Sequence, residues 1–260
     1  MLAVIRGAGD LASGIGLRLH RAGFQVVLLD LPQPTAIRRT VCFSQALLYG
    51  SWQVEDAEAV RAETPEEVKA ALAAGKLAVL ADPEAKCLAW LHTDVLVDAI
   101  LAKRNLGTKI TDAPIVIGVG PGFTAGADCH CAVETLRGHD LGRCLYAGTP
   151  APNTNVPGLI GGYAGERVLR APDTGVFHAQ AEIGDHVEVG YTVGNVNGKP
   201  MTCTISGVLR GLLADGTPVT VGMKAGDVDP RDEKRYCFTV SDKALAVAGG
   251  VLEGILHYGK

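Results

Sequence analysis

Basic clusters, long apolar runs and a paired cysteine framework are all missing from this sequence, and each absence removes a class of function. Its 24 lysines and arginines are outnumbered by 28 acidic residues, for a net charge of −4, and no dense Lys/Arg run occurs. A nucleic-acid surface needs a basic excess, so no nucleic-acid partner is expected. No apolar stretch reaches the ~18–20 residues that cross a bilayer, and a first strand opening at Leu2 leaves no basic leader. No membrane partner and a cytoplasmic location are therefore expected. Seven cysteines, odd in number and scattered from Cys42 to Cys237, do not make a secreted disulfide framework, and reduced thiols are expected. A second Cys-x-x-Cys pair that could close a zinc site is missing too.

What is present reads as globular. Hydrophobic residues make up 47% of the chain, charged residues 20%, and 33 glycines imply many tight turns and short strands. A length of 260 residues exceeds the ~100–150 residues of a modal domain, which favours two unequal parts.

The first part opens with an apolar strand over 2–6. Gly7, Ala8, Gly9, Asp10, Leu11 and Ala12 then form G-x-G-x-x-A ahead of a helix reaching about Ala22, and a second strand over 25–29 ends at Asp30. Gly7 permits a tight turn, Gly9 lets the backbone approach a pyrophosphate, and Ala12 allows the helix to lie close to the sheet. Asp30 stands where an acid accepts from ribose hydroxyls and repels a 2′-phosphate. The plainer reading is a strand-to-helix turn that uses glycine for packing. Asp10 puts a negative charge in the proposed phosphate loop and would instead cap the helix.

Arg38 and Arg39 read as a solvated face or as a clamp on an anion. Thr64, Pro65 and Glu67 form a capping box for a helix to about Ala74, followed by a strand over 77–80. Strands over 94–101 and 114–119 lead into Lys103, Arg104 and Asn105 and into Gly120, Pro121, Gly122 and Phe123. Parallel strands would bring both turns to the Gly7 loop, where Lys103 or Arg104 neutralises a phosphate and the Gly120 loop offers amides; ordinary turns are the alternative. Asp128, Cys129, His130 and Cys131 invite a metal reading, but alternation puts Cys129 and Cys131 on one strand face and His130 on the other, so a partly buried strand and no metal are expected. His139 is an acid/base candidate or a turn residue.

The second part is internally duplicated. At an offset of 32, Gly175 matches Gly207, Val176 matches Val208, Gly184 matches Gly216, Val187 matches Val219, and Gly190 matches Gly222. Two similar hairpin units related by a pseudo-twofold would follow. The pattern resembles the biotinyl and lipoyl carrier fold, the barrel-sandwich hybrid, with Asn197, Gly198, Lys199 and Pro200 at the hairpin tip. Lys199 would then be a covalent cofactor site, although it lacks the flanking residues of such carriers. A strand over 236–240 and a helix over 241–257 close the chain, with Gly249 and Gly250 costing ~1 kcal/mol each against alanine unless close packing requires them.

The runs VIRGAGDLASGIGLRLHRAGF, PQPTAIRRTV, AKRNLGTKITDAPIVIGVGPGFTAG, ETLRGHDLGR, PNTNVPGLIGGY and SDKALAVAGGVLEGIL cover much of the chain. They resemble the YqeB family of selenium-dependent molybdenum hydroxylase maturation proteins. The resemblance implies an accessory role, with a molybdenum hydroxylase client or other maturation proteins as partners. Its family-matching positions are Gly7, Gly9, Asp10, Lys103, Arg104, Asn105, Gly120, Gly122, Phe123 and His139. Related XdhC-type accessory proteins pair a Rossmann-like domain with molybdenum cofactor handling, so a nucleotide-containing small molecule, NAD or a molybdopterin dinucleotide, is the expected ligand. A free-standing NAD-dependent oxidoreductase is the alternative. It offers only His139 or Lys103 for proton transfer, and no tyrosine and lysine pair at helical spacing. The expected architecture is a Rossmann-like α/β region over 1–165, a barrel-sandwich-hybrid domain over 166–230, and a strand and helix over 231–260.

Overall fold

β1 (Leu2–Arg6), β2 (Gln25–Leu29), β5 (Leu77–Leu80), β6 (Val95–Asp98) and β7 (Ile115–Val119) are almost unbroken apolar runs, the pattern of strands buried on both faces. In the computed structural model, which describes residues 1–154 and 156–259, they form the centre of one mixed sheet. β3 (Ser51–Val54), β4 (Ala57–Arg61), β8 (Cys131–Val133) and β9 (Cys144–Leu145) complete it in the order β3-β4-β5-β2-β1-β6-β7-β8-β9. The run from β4 to β8 is parallel, and β3 and β9 close the edges antiparallel. At the centre Val4 lies between Val27 and Leu96.

This sheet belongs to a unit made of residues 1–34, 42–154 and 240–260; residues 35–41 and 155–239 form a second unit. Within the first, α1 (Asp10–Arg21) and α4 (Asp242–Tyr258) cover one face. A Cβ on Gly14 would lie 2.7 Å from the Cβ of Ala244, so the two helices meet backbone to backbone. Gly254 sits against Ile117, Cys131 and Cys144, and Gly250 against Val133 and the Gly142 carbonyl. The opposite face is covered by Val68 and Ala71 of α3 (Pro65–Ala73) with Phe123, Ala125 and Cys129 from loops. The capping box of α3 is formed: Glu67 N donates to Thr64 Oγ1 at 3.2 Å and Thr64 N donates back to Glu67 Oε2 at 3.3 Å. A four-residue helix, α2 (Ala46–Tyr49), precedes β3.

The expected fold class is corrected by this arrangement. A Rossmann-like region needs a helix in successive crossovers, yet β6 reaches β7 and β7 reaches β8 through turns alone, and the vacated face is filled by α4 from the far end of the chain. Residue spacing showed the first strand–helix–strand unit truly and said nothing of the later crossovers. The molecule is a large mixed sheet with few helices plus a β unit, and the pairing of a Rossmann domain with a biotinyl/lipoyl barrel hybrid does not describe it.

The second unit has two four-stranded sheets. One is β10 (Val168–Arg170), β17 (Lys224–Asp229), β15 (Gly207–Leu212) and β12 (His186–Val187). The other is β14 (Lys199–Thr202), β13 (Thr192–Val196), β11 (Gly175–Ala179) and β16 (Pro218–Val219). The sequence duplication becomes an exchange of partners. Gly184 N donates to Leu209 O at 2.8 Å while Gly216 N donates to Phe177 O at 2.9 Å. Leu209 N and Phe177 N return bonds to Asp185 O and Thr217 O, so each half pairs its hairpin with the other.

Asn197 (φ 52°) and Gly198 (φ 75°) make the hairpin tip, the left-handed pair that a two-residue turn of this kind demands. Lys199 already belongs to β14, with its Nζ 2.9 Å from Asp173 Oδ2. Arg38 is buried and donates to the carbonyls of Tyr236 and Thr239, and Arg39 donates to that of Leu212, so the pair braces this unit. The strand expected over 236–240 is replaced by a 3-10 turn, Lys234–Cys237.

The two neighbouring glycines of α4 should respond in opposite ways. A Cβ on Gly249 meets no atom, so Gly249→Ala should stabilise by about 0.5–1 kcal/mol through helix propensity. A Cβ on Gly250 would overlap the Gly142 carbonyl, so Gly250→Ala should destabilise by about 1–3 kcal/mol. Urea unfolding of the two variants checks the difference in sign.

Candidate functional site

The loop after β1 is held from several sides. Gly7 takes φ 108°, donates to Leu29 O at 2.7 Å, and leaves no room for a Cβ, which would lie 2.8 Å from Ala99 O. Ala8 N donates to Asp30 Oδ2 at 2.9 Å, and Leu31 N donates to Asp30 Oδ1 at 2.8 Å. Ala8 O accepts from Ser13 Oγ at 2.9 Å and from Ser44 N at 3.0 Å. Burial raises the Asp30 pKa against the opposing pull of those two amides. Asp30, expected on a ribose, thus spends one lone pair of each oxygen on bracing the loop. Ala8 and Ala12 are buried beneath it.

Gly9 is different. It is the N-cap of α1 with φ −77°, and a Cβ there would meet nothing within 4 Å. Neither backbone strain nor protein packing asks for glycine at this position. Asp10 does not cap the helix; it stands in the first turn, where the helix dipole favours an acid.

The neighbouring strand ends close round this loop. Arg6, itself buried, donates to Asp98 Oδ2 at 3.3 Å, to Thr108 Oγ1, and to Pro83 O at 3.2 Å, and Thr108 Oγ1 donates to Asp98 Oδ2 at 2.6 Å. Asn105 is spent on its own turn: it donates to Thr108 O at 2.7 Å and accepts from Gly107 N and Thr108 N. Lys103 (φ 63°) and Arg104 are exposed on the same turn. Gly122 (φ 108°) packs on the Arg104 backbone, and Gly120 (φ 82°) lies against Leu101 and Thr135. The Gly7 loop, the 99–105 segment and the Gly120 loop therefore adjoin, as parallel strand ends require. Phe123 is a correction: it fills the space that Gly118 leaves empty and is a core residue, out of reach of a ligand. His139 is exposed in the turn after β8, away from these contacts.

Sequence reasoning overlooked the end of β8 and the start of α4. Glu134 accepts from the amides of Thr135, Leu136 and Ala151 at 2.6–2.7 Å, which pins this corner. Arg137 makes a two-pronged bond to Asp242 at 2.8 and 2.9 Å. Ser241 Oγ accepts from Ala244 N at 3.2 Å and caps α4, which puts Lys243 in its first turn. Burial, then the nearby Arg137, holds the Lys243 ammonium below the usual lysine range, while Asp10, Glu134 and Asp242 act the other way. The Ser241 cap was the one signal in the sequence, and it located the helix without showing its neighbours.

The Cys-His-Cys stretch folds otherwise than alternation implies. Cys129 joins the face that carries Phe123 and Ala132, and Cys131 the face under Gly254, because the strand begins only at Cys131. His130 Nδ1 accepts from Val116 N at 2.9 Å. All seven cysteines are buried thiols. Among the described residues, no cluster of three or more His, Cys, Asp or Glu side chains could hold a metal ion, and no helix is long and apolar enough to cross a membrane.

No family model matches the chain. It is 46% identical over 255 residues to the Uncharacterized protein YqeB of Escherichia coli strain K12, an alignment covering 98% of this chain and 47% of that protein. At that identity the two stretches are homologous, which supports the YqeB family; the chain spans about half the length of the curated relative it matches. Among solved structures, an aspartoacylase family protein of Mesorhizobium loti aligns over 87% of this chain and 84% of its own at 10% identity and a TM-score of 0.29. A succinylglutamate desuccinylase/aspartoacylase of Rhodobacter sphaeroides aligns over 55% and 60% at 18% identity and 0.23.

Asp98→Ala should leave the Arg6 guanidinium buried without its carboxylate and cost about 3–5 kcal/mol, measurable by denaturant unfolding. Thr108→Val, which keeps the ion pair, should cost clearly less.

Proposed function

We propose that this YqeB homologue is an accessory protein in the maturation of selenium-dependent molybdenum hydroxylases, and that it works by holding a nucleotide-bearing small molecule at the loops beyond β1, β6 and β7. The observation that carries the site is Gly9. Its neighbour Gly7 is needed by the fold, whereas a side chain at Gly9 would enter open space beside the first turn of α1. A ligand whose phosphate approaches the backbone there gives that space a use, since phosphates favour the amides and dipole of a helix start. Asp30 supports the reading indirectly, by holding the Ala8 amide and the shape of the loop.

The role in maturation draws its support from the long runs shared with that class of protein, and the ligand class follows from it. A molybdopterin dinucleotide is the preferred ligand, with NAD as the other dinucleotide that the loop would accept. The chain would hold the cofactor for transfer or modification on a hydroxylase client.

Purified protein should bind a molybdopterin dinucleotide or NAD saturably in calorimetry. Gly9→Val should weaken binding by about tenfold or more, ~1.4 kcal/mol, and should lower the melting temperature only slightly, since no protein atom meets a Cβ there and the cost is that of a poorer helix N-cap. Equal binding by the variant would remove the loop from the ligand site. In a native host, deletion of the gene should leave a molybdenum hydroxylase that is made but inactive, and full activity in that strain would reject the maturation role.

A further inference from the structure

A half-buried ammonium with no acceptor is an unusual thing for a helix to carry, because burial costs a charge several kcal/mol unless something compensates it. Lys243 is such a group: it is half-buried and makes neither a hydrogen bond nor an ion pair among the described residues. Its place in the fold is set by two contacts. Ser241 caps α4 two residues before it, and Ala244, one residue after it, packs on Gly14, one turn into α1 from Asp10. Lys243 therefore stands beside the first turn of α1, next to the glycine loop.

The charges that reach it come from the elements packed there, and most are already engaged. Asp242, on its own helix, is taken by both prongs of Arg137. Glu134, at the end of β8, already accepts from three amides. Arg137 repels it, and Asp10 of α1 attracts it. The corner thus holds a lysine directed at no protein acceptor, beside a loop whose Gly9 leaves open space.

We propose that Lys243 is the cationic contact for the phosphate group of the ligand at the Gly7–Asp10 loop. This deepens the nucleotide-site reading and rests on it for where the ligand lies. A dianionic oxygen cluster would give the ammonium the hydrogen-bond acceptor that no described residue supplies and would add to the pull of Asp10, and lysine serves phosphates as a point charge. The lowered lysine pKa fits this role: anion binding should pull it back up with uptake of a proton. Affinity would then be full below that pKa and would fall as pH rises through it, earlier than for an ordinary lysine.

The probe is inorganic pyrophosphate, titrated calorimetrically into the full chain, alongside NAD. Wild type should bind it, Lys243→Met should lose about tenfold or more, and Lys243→Arg should stay within about threefold. Because burial outweighs the pull of the nearby carboxylates on this ammonium, Lys243→Met should melt at the same temperature or higher. The wild-type loss of affinity toward alkaline pH, taken as a ratio to Lys243→Arg, should disappear when both side chains are fully charged. No pyrophosphate binding by wild type, unchanged binding by Lys243→Met, or a collapse of its stability would each overturn the proposal. Pyrophosphate held through Lys243 with no dinucleotide bound would leave this inference standing and remove the nucleotide reading. Dinucleotide binding that Gly9→Val weakens and Lys243→Met does not would remove this inference alone.

Discussion

A parallel sheet must be covered on both faces, and this one has no α-helix in the connections from β5 through β8. The burden falls on α4, brought from the chain's far end to lie beside α1 over the strands β7, β8 and β9. Covering that face with a second helix at such close range demands small residues along the contact. Gly14 and Ala244 supply them between the helices, and Gly250 and Gly254 supply them against the sheet and its loops. The same packing has a chemical result, since it carries the first turn of α4, with Lys243, to the start of α1.

The loops over the strand ends are rigid for identifiable reasons. The Ala8 amide and carbonyl are both held, by Asp30 and by Ser13 with Ser44, while Asn105 and Glu134 each spend a side chain on shaping a turn. Arg6 and Asp98 neutralise each other in the core behind this edge, with Thr108 satisfying both. Such bracing fixes the backbone round one open position, Gly9. In the proposed ligand site, such a pre-shaped backbone would keep the entropy cost of binding low.

The second unit solves a different problem. Two short hairpin units cannot bury a core alone, so each gives its partner backbone bonds across a pseudo-twofold, and Phe177 and Leu209 occupy equivalent places in the shared core. Charge is buried there as well. Arg167 and Arg210 converge on Asp227, with Arg210 also reaching Asp229, and no member of that network is left without an opposite charge.

By itself, the sequence determined whatever depends on neighbours along the chain. The glycine turn between β1 and α1, the Thr64 capping box, the Asn197–Gly198 tip, the Ser241 helix start and the 32-residue duplication were all legible, because each is set by local dihedral preference or local hydrogen bonding. Tertiary structure decided the rest. Only packing revealed that later crossovers lack helices, that Phe123 belongs to the core through Gly118, and that Cys129 and Cys131 face opposite ways. Only packing, too, brought Lys243 within reach of a loop more than 230 residues earlier in the chain. Periodicity reports which face of an element is apolar, and it carries no information about which distant element will come to cover that face.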